Sequence, residues 1–308
     1  MVKTIFFGTQ NFAASILEAL LKSGNYEISA VVTQPDRPVG RSQELEKSPV
    51  KILAEKHNLN ILQPESLKNQ SSIFNLQSSV DLFIVCQYGL IIPKQILDLP
   101  ERGSINVHTS LLPKYRGASP IQTALINGET ETGITTMLMD EKMDRGPILA
   151  QEKVTVDPDD TTASLSERMA HVAANLLLKT IPDYLSGKTT PKPQDETQVT
   201  FCKILTRDDG KIDFSKTADE IYNLYRGLTP WPGIWTTWNG KRLKLLVIKK
   251  SDKQIPAGQV AVEADKIFIG TNQGSIEVLE LQLEGKKAMD AKTFLSGYKS
   301  IDKANLNA

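Results

Sequence analysis

The first 185 residues switch repeatedly between two hydrophobic periods, and that alternation restricts the fold more than any compositional figure. Short apolar runs at Lys3–Phe7, Ile28–Val32, Leu82–Cys86 and Ser104–His108 have the length and continuity of buried strands. After the first run, Phe12, Ile16, Leu17, Leu20 and Leu21 recur at helical spacing. Ser48-Pro49 opens a second helix through His57, with Ser as N-cap and Pro at the first helical position. Ser119-Pro120 opens another toward Asn127-Gly128, Gly133–Met139 is a β-branched strand, and Thr162 to Leu185 reads as one long helix. Strands of this kind, separated by helices, pair in parallel through right-handed crossovers. The expected fold class is therefore α/β, a Rossmann-like domain with a mostly parallel sheet.

The pattern changes after Ser186. Ser186–Gln198 contains Gly187, Pro191, Pro193 and several Thr, without apolar periodicity, and reads as a linker. Beyond it come a short helix at Ala218–Arg226 and a Pro230-Trp231-Pro232-Gly233 turn. Strand-like runs follow at Trp235–Trp238, Leu243–Ile248, Gly258–Val262, Lys266–Gly270 and Ser275–Leu283. Asn239-Gly240 between two of them is a hairpin signal. Five short strands in this space point to a small barrel. The expected division is 1–188 for the α/β domain, 189–206 for the linker and 207–308 for the barrel.

Composition excludes more than it assigns. With 308 residues, 40% apolar and 23% charged, the chain is an ordinary globular one of about two domains. No apolar run approaches the ~18 residues of a membrane span, and MVKTIFFG lacks the features of a secretory signal. Cys86 and Cys202 fit no metal or redox spacing and read as free thiols of a reducing compartment, so a cytoplasmic location is expected. The zero net charge argues against an indiscriminate nucleic-acid coat, yet Arg207 to the end carries 16 basic and 13 acidic residues against 20 and 23 before it. Gly8 in Phe7-Gly8-Thr9-Gln10-Asn11-Phe12 lacks the further glycines of a dinucleotide cradle and reads as a tight turn.

The chemistry concentrates at Asn106 and His108. In an extended strand, residues two apart share a face, so an amide and an imidazole stand together while Val107 points to the core. The run breaks at Pro113, placing the pair near the carboxyl end of a strand, where open α/β sheets bind ligands. An amide donor beside a titratable ring is what acyl transfer needs, one group for a developing oxyanion and one for a proton. The other histidines, His57 and His171, fall on helices and read as surface residues. Asp144 lies in an acidic turn after a strand, where a solvated Asp is common. A metal site built from His108, Asp140, Glu141 and Asp144 is a weaker alternative; no metal is expected. Trp231, Trp235 and Trp238 read as core packing of the barrel in preference to base stacking.

Asn106-Val107-His108, followed by Ser110-Leu111-Leu112-Pro113 and Tyr115-Arg116-Gly117, resembles the folate-dependent formyltransferase family. The resemblance extends over nearly the whole chain. It takes in the Phe7–Phe12 turn, Thr33-Gln34-Pro35-Asp36-Arg37-Pro38 with Gly40-Arg41, Ser48-Pro49-Val50-Lys51, Asp195-Glu196-Thr197 and Pro230-Trp231-Pro232. It implies a C-terminal OB-like domain after the catalytic one, with 10-formyltetrahydrofolate as formyl donor. By the same resemblance Asn106, His108 and Asp144 are catalytic, and Ser110, Leu111, Leu112 and Pro113 hold the folate together with Gln87, Tyr88, Gly89 and Leu90. The implied acceptor is initiator methionyl-tRNA, met by the loop of Arg37 and Arg41, with Arg41 carrying the role; Lys241 and Arg242 are candidates for phosphate contacts on their charge, with a solvated surface as the alternative, and the protein is expected to act as a monomer. Three departures stand out: Ser42-Gln43-Glu44-Leu45-Glu46 where lysines are usual, Thr109 where glycine is usual, and Gln87 where a small residue is usual. Two alternatives are an N-formyltransferase acting on a nucleotide-linked amino sugar and an RNA-binding module on an inactive scaffold.

Overall fold

The computed structural model describes residues 1–39, 44–68 and 80–306. The chain folds as two compact units. The first is Met1–Pro120, Glu131–Thr155 and Ser166–Lys203; the second is Ile121–Thr130, Val156–Leu165 and Ile204–Ala308.

The first unit is built on β1 (Val2–Gly8), α1 (Asn11–Ser23), β2 (Tyr26–Val32), α2 (Pro49–Lys56), β3 (Ile61–Leu62), β4 (Leu82–Cys86), α3 (Lys94–Leu97) and β5 (Ser104–His108). Then come α4 (Pro120–Ile126), β6 (Glu131–Leu138), β7 (Ile148–Thr155) and α5 (Thr162–Leu185), the two helices being shared between the units along the chain. The sheet runs in the order β7-β6-β5-β4-β1-β2-β3. Its pairings are parallel from β3 to β5 and antiparallel at β5–β6 and β6–β7. Strand order reverses between β1 and β4, so the carboxyl ends of β1, β4 and β5 surround the usual ligand crevice of such a sheet.

Local chemistry explains the elements. Gly24 closes α1 in the left-handed conformation at φ 68°. Ser48 caps α2 by accepting from the Lys51 N–H at 3.1 Å, with Pro49 next. Leu82–Cys86 is buried at every position, as a central parallel strand requires. One face of the sheet packs Phe7, Phe83 and Tyr88 ring against ring, with Phe7 5.1 Å from Phe83 and 5.5 Å from Tyr88. Each such side chain contributes roughly 1.5–3 kcal/mol by leaving water. Hydrophobic periodicity does not announce β7: only Leu149 and Val154 are buried on it, and its polar edge-strand pattern hides it.

The stretch expected as a linker runs with the first unit up to Lys203. Phe201–Cys202 pairs in parallel with Arg116–Gly117, and Lys192 bridges to Ile148. It lacks periodicity because hydrogen bonds, not an apolar face, hold it.

The second unit contains α6 (Ala218–Leu228), β8 (Ile234–Trp238), β9 (Lys241–Ser251), β10 (Val260–Glu263), β11 (Lys266–Gly270), β12 (Ser275–Leu283), β13 (Met289–Asp290) and α7 (Ala291–Gly297). Its antiparallel sheet runs β8-β9-β12-β11-β10, with β13 on β12. Thr217 and Glu220 form a capping box at the start of α6. Phe214, Ile221, Leu228, Ile234, Leu245, Val278 and Phe294 form its core, with Ile126 packed against them. Of the three tryptophans only Trp238 is core, 6% exposed; Trp231 is 56% exposed, and half-buried Trp235 donates from Nε1 to the Arg207 carbonyl at 2.9 Å. Core packing therefore accounts for one of them.

Candidate active site

β5 carries Asn106 and His108 to the carboxyl edge of the sheet, with Ile105 and Val107 buried on the opposite face. Asn106 is half-buried, and its side-chain amide makes no hydrogen bond among the described residues. His108 is 6% exposed and lies between two acceptors: Nε2 is 3.0 Å from the Tyr115 carbonyl and Nδ1 is 3.6 Å from Asp144 Oδ1. A neutral imidazole donates through one nitrogen only, whereas an imidazolium donates through both. The setting thus accommodates a proton arriving on His108.

Asp144 reaches this ring from the turn after β6, at φ 50°. Its Oδ2 accepts from the Gly117 N–H at 2.8 Å. Gly117 has φ 121°, and a Cβ there would strike the Cys202 carbonyl, so only glycine lets the Phe201–Cys202 strand lie so close. Cys202 Sγ accepts from the Ser119 N–H at 3.3 Å, and the Ser119 hydroxyl donates to the Lys203 carbonyl.

Two residues to which the sequence reading gave no role complete this arrangement. Gln194 donates from Nε2 to the Asp144 and Gly146 carbonyls, both at 2.8 Å, and its Oε1 accepts from Arg116 Nε at 3.1 Å and Nη2 at 2.8 Å. Glu196 accepts from Arg116 and from Arg145 Nε, 3.1 and 3.2 Å away. The Arg116 hydrogen bond is the main reason the Glu196 carboxyl sits below its ordinary range. The run Asp195-Glu196-Thr197 beside Gln194 is the only signal of either in the sequence.

The segments expected to hold a folate are built differently from one another. In Ser110-Leu111-Leu112-Pro113 the hydroxyl and the carbonyls of Ser110 and Leu112 are already engaged. Ser110 Oγ donates to the Lys114 carbonyl at 2.6 Å, Thr135 Oγ1 donates to the Ser110 carbonyl at 2.7 Å, and Gln151 Nε2 donates to the Leu112 carbonyl at 2.9 Å. In Gln87–Leu90, Gln87 has φ 45° and Gly89 φ 80°. Tyr88 turns its ring into the core, 2% exposed, and its hydroxyl has no hydrogen-bond partner. Burial pushes that phenol up to about 12. The Tyr88 carbonyl accepts from Thr9 Oγ1 at 3.0 Å and Gln34 Nε2 at 2.8 Å. A cavity of about 360 Å³ adjoins the Asp144 turn, lined by Lys94, Leu97, Asp98, Met139–Lys142 and Arg145. Neither of the two expected segments lines it.

Arg41 lies outside the described residues. Arg37 is exposed on a two-stranded ribbon, Arg37–Val39 against Glu44–Glu46, paired across from Glu46. The ribbon's base is held by Asp36, which accepts from Lys51 Nζ at 2.6 Å and Gln63 Nε2 at 2.8 Å. Lys241 and Arg242 lie on β9 in the second unit; Arg242 stacks over Trp235 at 4.1 Å. Among the described residues no group of three or more His, Cys, Asp or Glu could hold a metal, and no helix is long and apolar enough to cross a membrane.

Known proteins resemble this chain at both the sequence and the fold level. The sequence profile described as formyl transferase matches residues 2–181, and that described as formyl transferase, C-terminal domain, matches 204–299. A methionyl-tRNA formyltransferase of Acidobacterium capsulatum is 44% identical over 313 residues, covering 100% of both chains. One of Halalkalibacterium halodurans is 44% identical over 301 residues, covering 96% of this chain and 95% of that one. Among solved structures, a sugar 3N-formyl transferase in the presence of dTDP and 5-N-formyl-THF superposes with a TM-score of 0.68 at 22% identity, over 93% of this chain and 99% of that chain. The N-formyltransferase from Helicobacter canadensis in complex with folinic acid and dTDP-3-aminofucose gives 0.66 at 21% identity, over 90% and 98%. At such identities these two likenesses concern the fold alone.

Proposed function

This chain belongs to the formyl transferase family, and from that premise we propose that it formylates the α-amino group of initiator methionyl-tRNA, with 10-formyltetrahydrofolate as donor. The observation that carries the chemistry is His108 held between the Tyr115 carbonyl and the Asp144 carboxylate, two residues along the strand from the free amide of Asn106 on the same face.

The amine nitrogen attacks the formyl carbon, and the carbonyl oxygen gains negative charge. Asn106 donates to that oxyanion, and His108 stabilises it from the same side. The tetrahedral intermediate collapses by breaking the bond between the formyl carbon and N10 of the folate. The α-nitrogen loses a proton and N10 gains one. His108 relays it, and Asp144 holds the positive ring while it does. The donor is a substrate, bound by the Gln87–Leu90 turn and the Ser110–Pro113 loop. The cavity beside Asp144 adjoins this site and is lined by Leu97 and Met139 together with three cations, Lys94, Lys142 and Arg145, and three carboxylates, Asp98, Asp140 and Glu141. Arg37, Arg41, Lys241 and Arg242 meet the acceptor's phosphates. The domain assignment that goes with this reading is catalysis in 1–188 and tRNA binding in 207–308, in a monomeric, cytoplasmic protein.

The test is formyl transfer to charged initiator tRNA, elongator methionyl-tRNA and a nucleotide-linked amino sugar, side by side. A preference for initiator methionyl-tRNA is the expected result. A higher kcat/KM for the amino sugar would overturn the acceptor assignment.

A further inference from the structure

The stretch from 182 to 203 lies between the two matched profiles, yet it supplies the side chain that governs the Asp144 turn. Asp144 is not glycine, and its φ of 50° is a backbone state that a residue with a side chain keeps only where its surroundings enforce it. The Gly117 N–H fixes the carboxylate. The backbone is fixed by Gln194, whose amide donates to the carbonyls of both Asp144 and Gly146. Gln194 is 9% exposed, and its own oxygen takes two hydrogen bonds from Arg116, itself 3% exposed. Two donors and two acceptor positions are all a primary amide has, and all four are used. Arg116 then leads along the chain to Gly117, so the hydrogen bonds close a loop around Asp144.

We propose that Gln194 is a positioning residue for the transfer reaction: it sets the Asp144 carboxylate against His108 without touching either substrate. The proposal rests on the reading above that Asp144 and His108 serve formyl transfer. A carboxamide is the side chain the place demands. A glutamate would keep the Arg116 bonds but turn an acceptor toward two carbonyl oxygens. Displacing a catalytic group by about 1 Å lowers turnover up to ~100-fold, with less effect on binding.

The experiment is a double-mutant cycle in the full chain, using Gln194→Ala, Asp144→Asn and the double variant, with Gln194→Glu as a second probe. The readouts are kcat, both KM values and amide hydrogen exchange at Gly117 and Gly146. Gln194→Ala and Gln194→Glu should each lower kcat about tenfold or more, leave both KM values within about threefold, and speed exchange at Gly146. In the Asp144→Asn background, Gln194→Ala should add less than about threefold, because the group it positions has gone. Full multiplication of the two losses, or a Gln194→Glu rate equal to wild type, overturns the proposal and leaves the reading above intact. If Gln194→Ala does not fold, the cycle is run with Gln194→Glu, which retains its Arg116 partner. An Asp144→Asn enzyme as fast as wild type removes Asp144 from the mechanism and the proposal with it. Should the amino sugar prove the better acceptor, the acceptor assignment fails while the cycle is measured on that substrate.

Discussion

Replacing Asp144 by Asn exchanges one oxygen for nitrogen and tests the electrostatic core of the mechanism. Asn keeps an oxygen to accept the Gly117 N–H now received by Oδ2, so stability should fall by no more than about 1.5 kcal/mol. What disappears is a negative charge 3.6 Å from His108 Nδ1. Two unit charges at that separation attract by about 1 kcal/mol in bulk water and about 5 kcal/mol at an effective dielectric of 20. With the two side chains only 6% and 14% exposed, the upper part of that interval applies. The loss falls on a transition state in which His108 carries the proton, so kcat should drop by about 100- to 1,000-fold. The assay is single-turnover formyl transfer at saturating concentrations of both substrates, with folate affinity measured separately and expected within about threefold of wild type. A kcat reduced by less than about threefold would refute the reasoning, since even water's dielectric predicts more. A loss confined to KM would place Asp144 in binding.

His108→Ala should cost ~100-fold or more in kcat with folate binding largely kept, and a tenth of the wild-type rate surviving would remove His108 from catalysis. Tyr88→Phe deletes a buried hydroxyl that lacks a partner, so the unfolding free energy from urea titration should stay level or rise by up to about 1–3 kcal/mol; a fall would mean that the hydroxyl is satisfied. Glu196 is held below its ordinary range by Arg116, so its stabilising effect is present above the unfolded value of about 4.3 and is lost as pH falls through the lower folded one. The Tm gap between wild type and Glu196→Gln should accordingly be widest near neutrality and close below about pH 4; a gap independent of pH would count against the pair. Glu44 and Glu46 are exposed on the ribbon, and converting both to Lys should tighten tRNA binding and steepen its salt dependence by about 0.7–0.9 per new phosphate contact, with folate constants unmoved; no tightening at low salt would place the ribbon away from phosphates.

Four of the five parallel strands were legible because a strand buried on both faces leaves a continuous apolar run, as at Leu82–Cys86, whereas the two half-buried residues Ile61–Leu62 leave none. Asn106 and His108 were legible because a period of two assigns faces without tertiary information. Gln194 was not, since a polar residue buried by saturating its hydrogen bonds leaves no periodic trace and its Pro-containing surroundings read as linker. The burial of the Tyr88 ring was not legible either; the left-handed turn at Gln87 precedes it, and no propensity announces that turn in a glutamine. The edge strand Ile148–Thr155 leaves no apolar signature because the residues it exposes to solvent outnumber those it buries.

The division of the chain into units bears on how such proteins can be recombined. The second unit claims Ile121–Thr130 and Val156–Leu165 as well as everything from Ile204 onward. Thr162 Oγ1 donates to the Gly227 carbonyl at 2.7 Å, and Arg226 donates to the Asp157 and Asp160 carbonyls at 3.2 and 3.4 Å. A hybrid with a single crossover near Lys203 would join α6 from one parent to acceptor loops from another and leave Ile126 facing a foreign core. Gene shuffling between relatives should therefore succeed when all three segments travel together, even though most of the long helix Thr162–Leu185 and the stretch around Gln194 separate the first two from the third. Inheritance in this architecture is discontinuous: the natural exchange unit is a set of three pieces, not a domain with two ends.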